Sequence, residues 1–277
     1  MIKVLKIEPM AYKKKTYVLR NAIEVEEYHT STCRAPGMKR LKKKKPTPEQ
    51  VERINQRNKE KLCRRKLREH FDVNDYFVTM TYERSLRPED METAKEHFKE
   101  FLRIVRREYK KRKSELKWIR NIEVGSRGAW HVHLVVNRID DTDIILRKAW
   151  KYGKVITQLM YEKGEFSSLA AYITKTEKTD KRLKETNYST SRNLPIPEPN
   201  ERTYRRWRTW KDNVKVPEGY YIEPDSLHEG INPVTGYPYR TYTLLRLRAE
   251  HRTATMQKTK GSIMLQLKEV KNTELLV

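Results

Sequence analysis

Residues Trp118 to Asn137, WIRNIEVGSRGAWHVHLVVN, hold a carboxylate and two histidines within a few positions of a tight turn. Apolar Ile122, Val124, Trp130, Val132, Leu134 and Val136 alternate with Asn121, Glu123, His131, His133 and Asn137, the period of two expected of a half-buried strand pair. If Ser126, Arg127 and Gly128 form a three-residue loop, Gly128 takes the left-handed position and Glu123 falls opposite His131. Opposed residues have Cβ atoms about 5 Å apart, and His131 and His133 share a face at roughly 7 Å. A four-residue loop from Gly125 to Gly128 would instead turn Glu123 to the buried face, where an unpaired carboxylate is costly. The three-residue loop is preferred on that ground. Two imidazoles and a carboxylate on one face suit a divalent ion such as Mg²⁺ or Mn²⁺, and three protein ligands leave positions open to a substrate.

A second constellation is Tyr172 with Lys175 in LAAYITK, three residues apart and so on one face of a helix. A tyrosine hydroxyl titrates near 10, so it becomes a nucleophile only beside a cation that favours the phenolate, which Lys175 supplies. Taken alone, Tyr172 reads as core, alongside Leu169 and Ile173.

The elements that must position these groups are legible around them. Thr47 with Gln50 forms a capping-box pattern and Pro48 suits the first helical position, predicting a helix to about His70. Tyr76 to Tyr82, YFVTMTY, is a β-branched and aromatic strand. Pro88 opens a predicted helix to about Lys113, with Met91, Ala94, Phe98, Leu102, Val105 and Tyr109 on one stripe. After the hairpin come a short helix from Asp140 to Trp150, a strand from Lys154 to Leu159, and a helix from about Ser167 to Leu183. Hairpins and helices over one antiparallel sheet predict an α+β domain over residues 71–185. It is flanked by a basic region, 1–70, with β-prone pieces near Ile2 to Ile7 and Thr16 to Val25, and by a C-terminal extension, 186–277, that opens on the extended, proline-rich Asn193 to Glu201.

The net charge is +24, and residues 1–70 carry 21 Lys and Arg against 8 Asp and Glu. Such a surplus favours an anionic partner, here nucleic acid, since no run of about 18 apolar residues and no signal-peptide core points to a membrane. Lys39, Arg40, Lys42, Lys43, Lys44 and Lys45 read either as a solvated linker or as an arm gripping the DNA backbone. In TYRRWRTWK, Trp207 and Trp210 interleave with Arg205, Arg206 and Arg208, either as bases' stacking partners among phosphate-binding cations or as an amphipathic helix burying both indoles. Cys33 and Cys63 are too few and too far apart for a zinc ribbon or disulfide framework, which implies a reducing cytoplasm. No phosphate-binding G-x-x-x-x-G-K-[ST] loop is present, so strand opening would fall to a host helicase.

Val78-Thr79-Met80-Thr81, then Glu123 with His131-Val132-His133, then Tyr172-Ile173-Thr174-Lys175 resemble, in that order, the three motifs of the HUH endonucleases. The likeness is to single-tyrosine rolling-circle replication initiators, and PTPEQ and TSRNLPIP resemble those of Gram-positive phages and integrated elements. The resemblance implies a central antiparallel sheet presenting the histidine pair to a tyrosine on a facing helix. His131, His133 and Glu123 would bind a divalent metal that polarises the scissile phosphate of single-stranded origin DNA. Tyr172 would attack that phosphate, leaving a 5′-phosphotyrosine link and a free 3′-OH for a host polymerase, in a prokaryotic cytoplasm. Lys175 would position phosphate or water. Conjugative relaxases place the tyrosine ahead of the histidines, and two-tyrosine initiators carry Tyr-x-x-x-Tyr where this chain has Thr176. Glu177 is a candidate base for termination. A non-cleaving origin-binding regulator and a transposase of the same chemistry are the alternative readings.

Overall fold

The computed structural model describes residues 11–30, 45–160, 165–205, 209–232 and 234–247. In chain order the elements are β1 (Tyr12–Val18), β2 (Ala22–His29), α1 (Pro48–His70), β3 (Tyr76–Thr81), α2 (Met91–Lys111), β4 (Trp118–Gly125), β5 (Trp130–Val136), α3 (Thr142–Ala149), β6 (Val155–Leu159), α4 (Glu165–Thr174), β7 (Leu183–Thr190), β8 (Asn200–Tyr204), β9 (Tyr220–Ile222), β10 (His228–Ile231) and β11 (Pro238–Arg246). The fold is α+β, with two antiparallel sheets and four helices among the described residues. The chain divides into two compact units, one over residues 42–198 and one combining 1–41 with 199–277.

In the unit over residues 42–198, five antiparallel strands run in the order β6-β3-β5-β4-β7. The β4–β5 hairpin closes as its spacing predicts. Gly128 adopts a left-handed φ of 73°, Gly125 N–H donates to the Ala129 carbonyl at 2.8 Å, and Glu123 pairs with His131. One face of the sheet buries Val78, Met80, Ile122, Val132, Leu134 and Val136 against the α2 stripe and α3. All six residues of the predicted α2 stripe are buried, joined by Phe101. The helix starts later than Pro88, at Met91, because Asp90 accepts from Thr93 N–H at 2.8 Å and so caps it.

The opposite face is not wholly polar. Ile119 and Val135 share it with Asn121, Glu123, His131 and His133, and they are buried with Phe166, Ala170 and Ile173 of α4 and Cys63 and Leu67 of α1. The sheet is therefore covered by helices on both faces, and its polar groups occupy the part of the second face beyond that apolar patch. α1 begins at the predicted capping box, with Thr47 Oγ1 accepting from Gln50 N–H and Gln50 Oε1 accepting from Thr47 N–H. α4 stops at Thr174, well short of Leu183. Thr176 and Thr179 bond each other's backbone and Asp180 N–H reaches the Thr176 carbonyl at 2.8 Å, a turn that replaces helical bonding. The residues after it form β7, which pairs with β4. Gly153, between α3 and β6, is required by close approach: a Cβ there would lie 2.3 Å from the Thr81 carbonyl oxygen.

In the other unit the sheet order is β10-β11-β2-β1-β8, with β9 also on β11. The segment Thr16 to Val25, read as one strand, contains the turn between β1 and β2, closed by Leu19 N–H to the Ala22 carbonyl at 2.8 Å. Val25, Tyr242 and Leu244 are its apolar centre. Beside them Arg240 is buried and forks onto Glu27 at 2.8 and 2.7 Å, a geometry that satisfies both desolvated charges.

Candidate active site

Glu123 from β4, His131 and His133 from β5, Thr79 and Phe77 from β3, and Tyr172 and Lys175 from the end of α4 form one cluster. Although Glu123 lies opposite His131 in register, its Oε1 bonds the diagonal neighbour, 2.8 Å from His133 Nε2. Its Oε2 lies 2.9 Å from Lys175 Nζ, a charge contact without hydrogen-bond alignment, so this buried oxygen makes no hydrogen bond. The Tyr172 hydroxyl lies 3.2 Å from the same His133 Nε2, and Lys175 Nζ sits 4.0 Å above the centre of the tyrosine ring. On the other side of the imidazole, Thr79 Oγ1 lies 3.3 Å from Nδ1. Phe77 stacks on His133 at 5.8 Å with an interplanar angle of 4°.

These contacts fix a consistent proton arrangement. An ionised carboxylate only accepts, so the Nε2–H of His133 donates to Glu123 at the shorter distance, and Nδ1 accepts the Thr79 hydroxyl proton. Burial alone would raise the Glu123 carboxyl, but the hydrogen bond and charge of His133, together with the Lys175 ammonium, hold it below its ordinary value. Burial, and then the charge of His133, hold His131 below the ordinary imidazole value. At neutral pH His131 is therefore uncharged and keeps a lone pair. Tyr172 itself is 40% exposed, open to a substrate from solvent.

The donor chemistry fits a divalent cation: two imidazoles, one carboxylate, and a buried carboxylate oxygen with no hydrogen bond. As the side chains stand, no group of three His, Cys, Asp or Glu among the described residues is assembled around a metal position, because His133 Nε2 is committed to Glu123 and Tyr172.

The five residues singled out by sequence thus meet in one place, and three more join them. Thr79 and Phe77 lie within the Tyr76 to Tyr82 strand and face the histidines by alternation. Arg182 has no signature in sequence; it forks onto Asp180 at 2.9 and 2.8 Å, remains exposed, and lies within the electrostatic reach of Tyr172 and Glu123. Glu177 is exposed. Of the residues read as DNA contacts, Lys39, Arg40, Lys42, Lys43, Lys44, Arg206, Trp207 and Arg208 lie outside the described residues. Lys45 and Arg205 are exposed. Trp210 is half-buried, 5.1 Å from the His29 ring and edge-on to Tyr12 at 5.8 Å, with the Arg240 guanidinium 5.5 Å over it. Among the described residues no helix is long and apolar enough to cross a membrane.

Residues 75–177 match the family model described as Replication-associated protein ORF2. The matched stretch opens at β3 and closes just beyond Lys175, so it contains the cluster and ties this part of the chain to DNA replication. Neither the curated proteins nor the solved structures contain a match to the chain.

Proposed function

We propose that the chain is a rolling-circle replication initiator of the HUH, single-tyrosine type that nicks and rejoins single-stranded origin DNA. The observation that carries this reading is the convergence on Tyr172: His133 Nε2 lies 3.2 Å from its hydroxyl and the Lys175 ammonium 4.0 Å from its ring centre. The phenolic oxygen attacks the scissile phosphorus, a P–O bond to Tyr172 forms, and the P–O3′ bond breaks. The 5′-phosphate is left on the tyrosine, and the departing 3′-oxygen takes a proton from water to become a free 3′-OH. The phenol proton leaves to solvent, since His133 already carries one on Nε2, and Lys175 favours the phenolate. Thr79 and Glu123 hold the imidazole from both sides, and Arg182 offers a further cation to the phosphate.

His131, His133 and Glu123 are the residues that would hold Mg²⁺ or Mn²⁺, which when bound supplies Lewis-acid polarisation of the phosphate. Because these side chains come from strands held by the two apolar layers, the cation is needed for cutting and not for folding. Host helicase and polymerase would act on the product, whose 3′-OH is a primer.

The test is label transfer. Single-stranded oligonucleotides spanning the chain's own origin region are labelled at either end and incubated with protein and Mg²⁺ or Mn²⁺. A label at the 3′ end should become covalently attached to the protein, and a 5′ label should appear on a shortened free fragment. Excess chelator should abolish both without shifting the melting profile. Binding with no adduct would favour a non-cleaving origin-binding regulator.

A further inference from the structure

Beside the cluster, between α4 and the β6 edge of the sheet, lies a cavity of about 520 Å³ lined by Phe77, Thr157, Gln158, Met160, Phe166 and Leu169. We infer that this cavity is a nucleobase subsite, seating the base of a nucleotide that flanks the phosphate attacked by Tyr172. The inference rests on the proposed function for the identity of the strand, and adds where one of its bases goes.

Three observations carry it. The first is continuity: Phe77 is a wall of the cavity and also a member of the cluster, stacked on His133 and edge-on to Tyr172 at 6.0 Å between ring centres. Leu169 lies one helical turn before Tyr172 on α4. A group in the cavity and a phosphate at Tyr172 are therefore separated by one shared aromatic ring. The second is chemistry. Among the described residues no Lys or Arg lines the space, so it is not built for a phosphate, whose place is beside Lys175 and Arg182. Aromatic and aliphatic walls suit a flat π-face, and the Thr157 hydroxyl and Gln158 amide can bond the edge of a base. The third is openness. Close-packed interiors do not leave spaces of this size, which lies in the range of ligand pockets, about 300–1,000 Å³. β6 is a sheet edge, and Ile156 on it, opposite Thr79 and so on the face of the histidines, is 52% exposed. That apolar surface continues the cavity towards the catalytic groups.

The experiment is a binding cycle with defined probes. Affinities of wild type and of two cavity-narrowing variants, Leu169→Trp and Gln158→Trp, are measured at one salt concentration by fluorescence anisotropy. The probes are (dT)12, (dA)12 and a twelve-residue abasic strand of the same backbone. Each variant should bind the base-bearing strands about tenfold more weakly, within the range of one base–aromatic stack, and the abasic strand within about twofold of wild type. Gln158 is exposed, so its variant keeps the fold intact, which an unchanged melting temperature verifies. Equal losses on base-bearing and abasic strands, or no loss on any, would overturn the subsite. The label-transfer assay separates the two proposals. Adduct without base-dependent coupling removes the subsite alone, whereas base-dependent coupling without adduct removes the nicking function and leaves a base-binding cavity.

Discussion

At the scale of single residues the cluster is a set of mutual constraints on one imidazole. His133 accepts from Thr79 at Nδ1, donates to Glu123 at Nε2 and stacks on Phe77, so its tautomer and plane are both set before any substrate arrives. Thr79→Val keeps the side-chain shape and removes only the Nδ1 partner. It should lower the rate of adduct formation by about ten- to a hundredfold, the usual cost of removing a partner that orients a ligating histidine, with DNA affinity and melting temperature little changed. An unchanged rate would mean that Glu123 and Phe77 alone orient the ring. Cys63 is a second residue whose chemistry is set by its surroundings. Burial pushes its thiol up to about 12. Because the folded value lies above that of the unfolded chain, the stabilisation is complete below about pH 8.5 and is lost as pH rises towards 12. At pH 8, in a Cys33→Ser background, a thiol reagent should label native Cys63 at least about a hundredfold more slowly than the urea-unfolded chain, since both thiolate fraction and access are reduced. Comparable rates would show that α1 does not stay docked.

At the scale of elements, what could be read from the sequence was what local chemistry enforces. The hairpin register followed from Gly128 and the cost of burying Glu123, and the start of α1 from Thr47 and Gln50. What could not be read depends on partners distant in sequence. β7, LKETNYST, has no alternation of its own and becomes a strand by pairing with β4. The turn between β1 and β2 has no Gly or Pro to announce it. Thr174, Thr176 and Thr179 end α4 through side-chain bonds that a periodicity count ignores. Gly153 is the element-level test. Gly153→Ala would drive a methyl into the Thr81 carbonyl, on the residue that pairs with His131. It should destabilise the chain by about 1–3 kcal/mol in urea titration and slow cutting as well. Unchanged stability would mean that the connection between α3 and β6 yields freely.

At the scale of the whole molecule, the net charge of +24 sets how the protein meets DNA, and the two units divide the roles. The cluster lies within the unit over residues 42–198, while the ends of the chain are joined in a second sheet, where β1 and β2 pair with β8 and β11. Replacing Lys39, Arg40 and Lys42 to Lys45 by Ser should weaken DNA binding across sequences. It should also reduce the magnitude of the log-affinity against log-salt slope by about 0.7 to 0.9 for each phosphate that is no longer neutralised. Cutting of a saturating short oligonucleotide should survive, and an unchanged slope would identify the run as a solvated linker. The most direct measurement of the central claim is the intact mass of the whole chain after incubation with an origin oligonucleotide, compared between wild type and Tyr172→Phe. The account predicts a wild-type mass increased by that of the 3′ fragment with its 5′-phosphate, mapped to the peptide containing Tyr172. For Tyr172→Phe it predicts no increase, with DNA affinity within about twofold, because the change removes one oxygen and no charge. An adduct of equal yield on the Phe variant would contradict it.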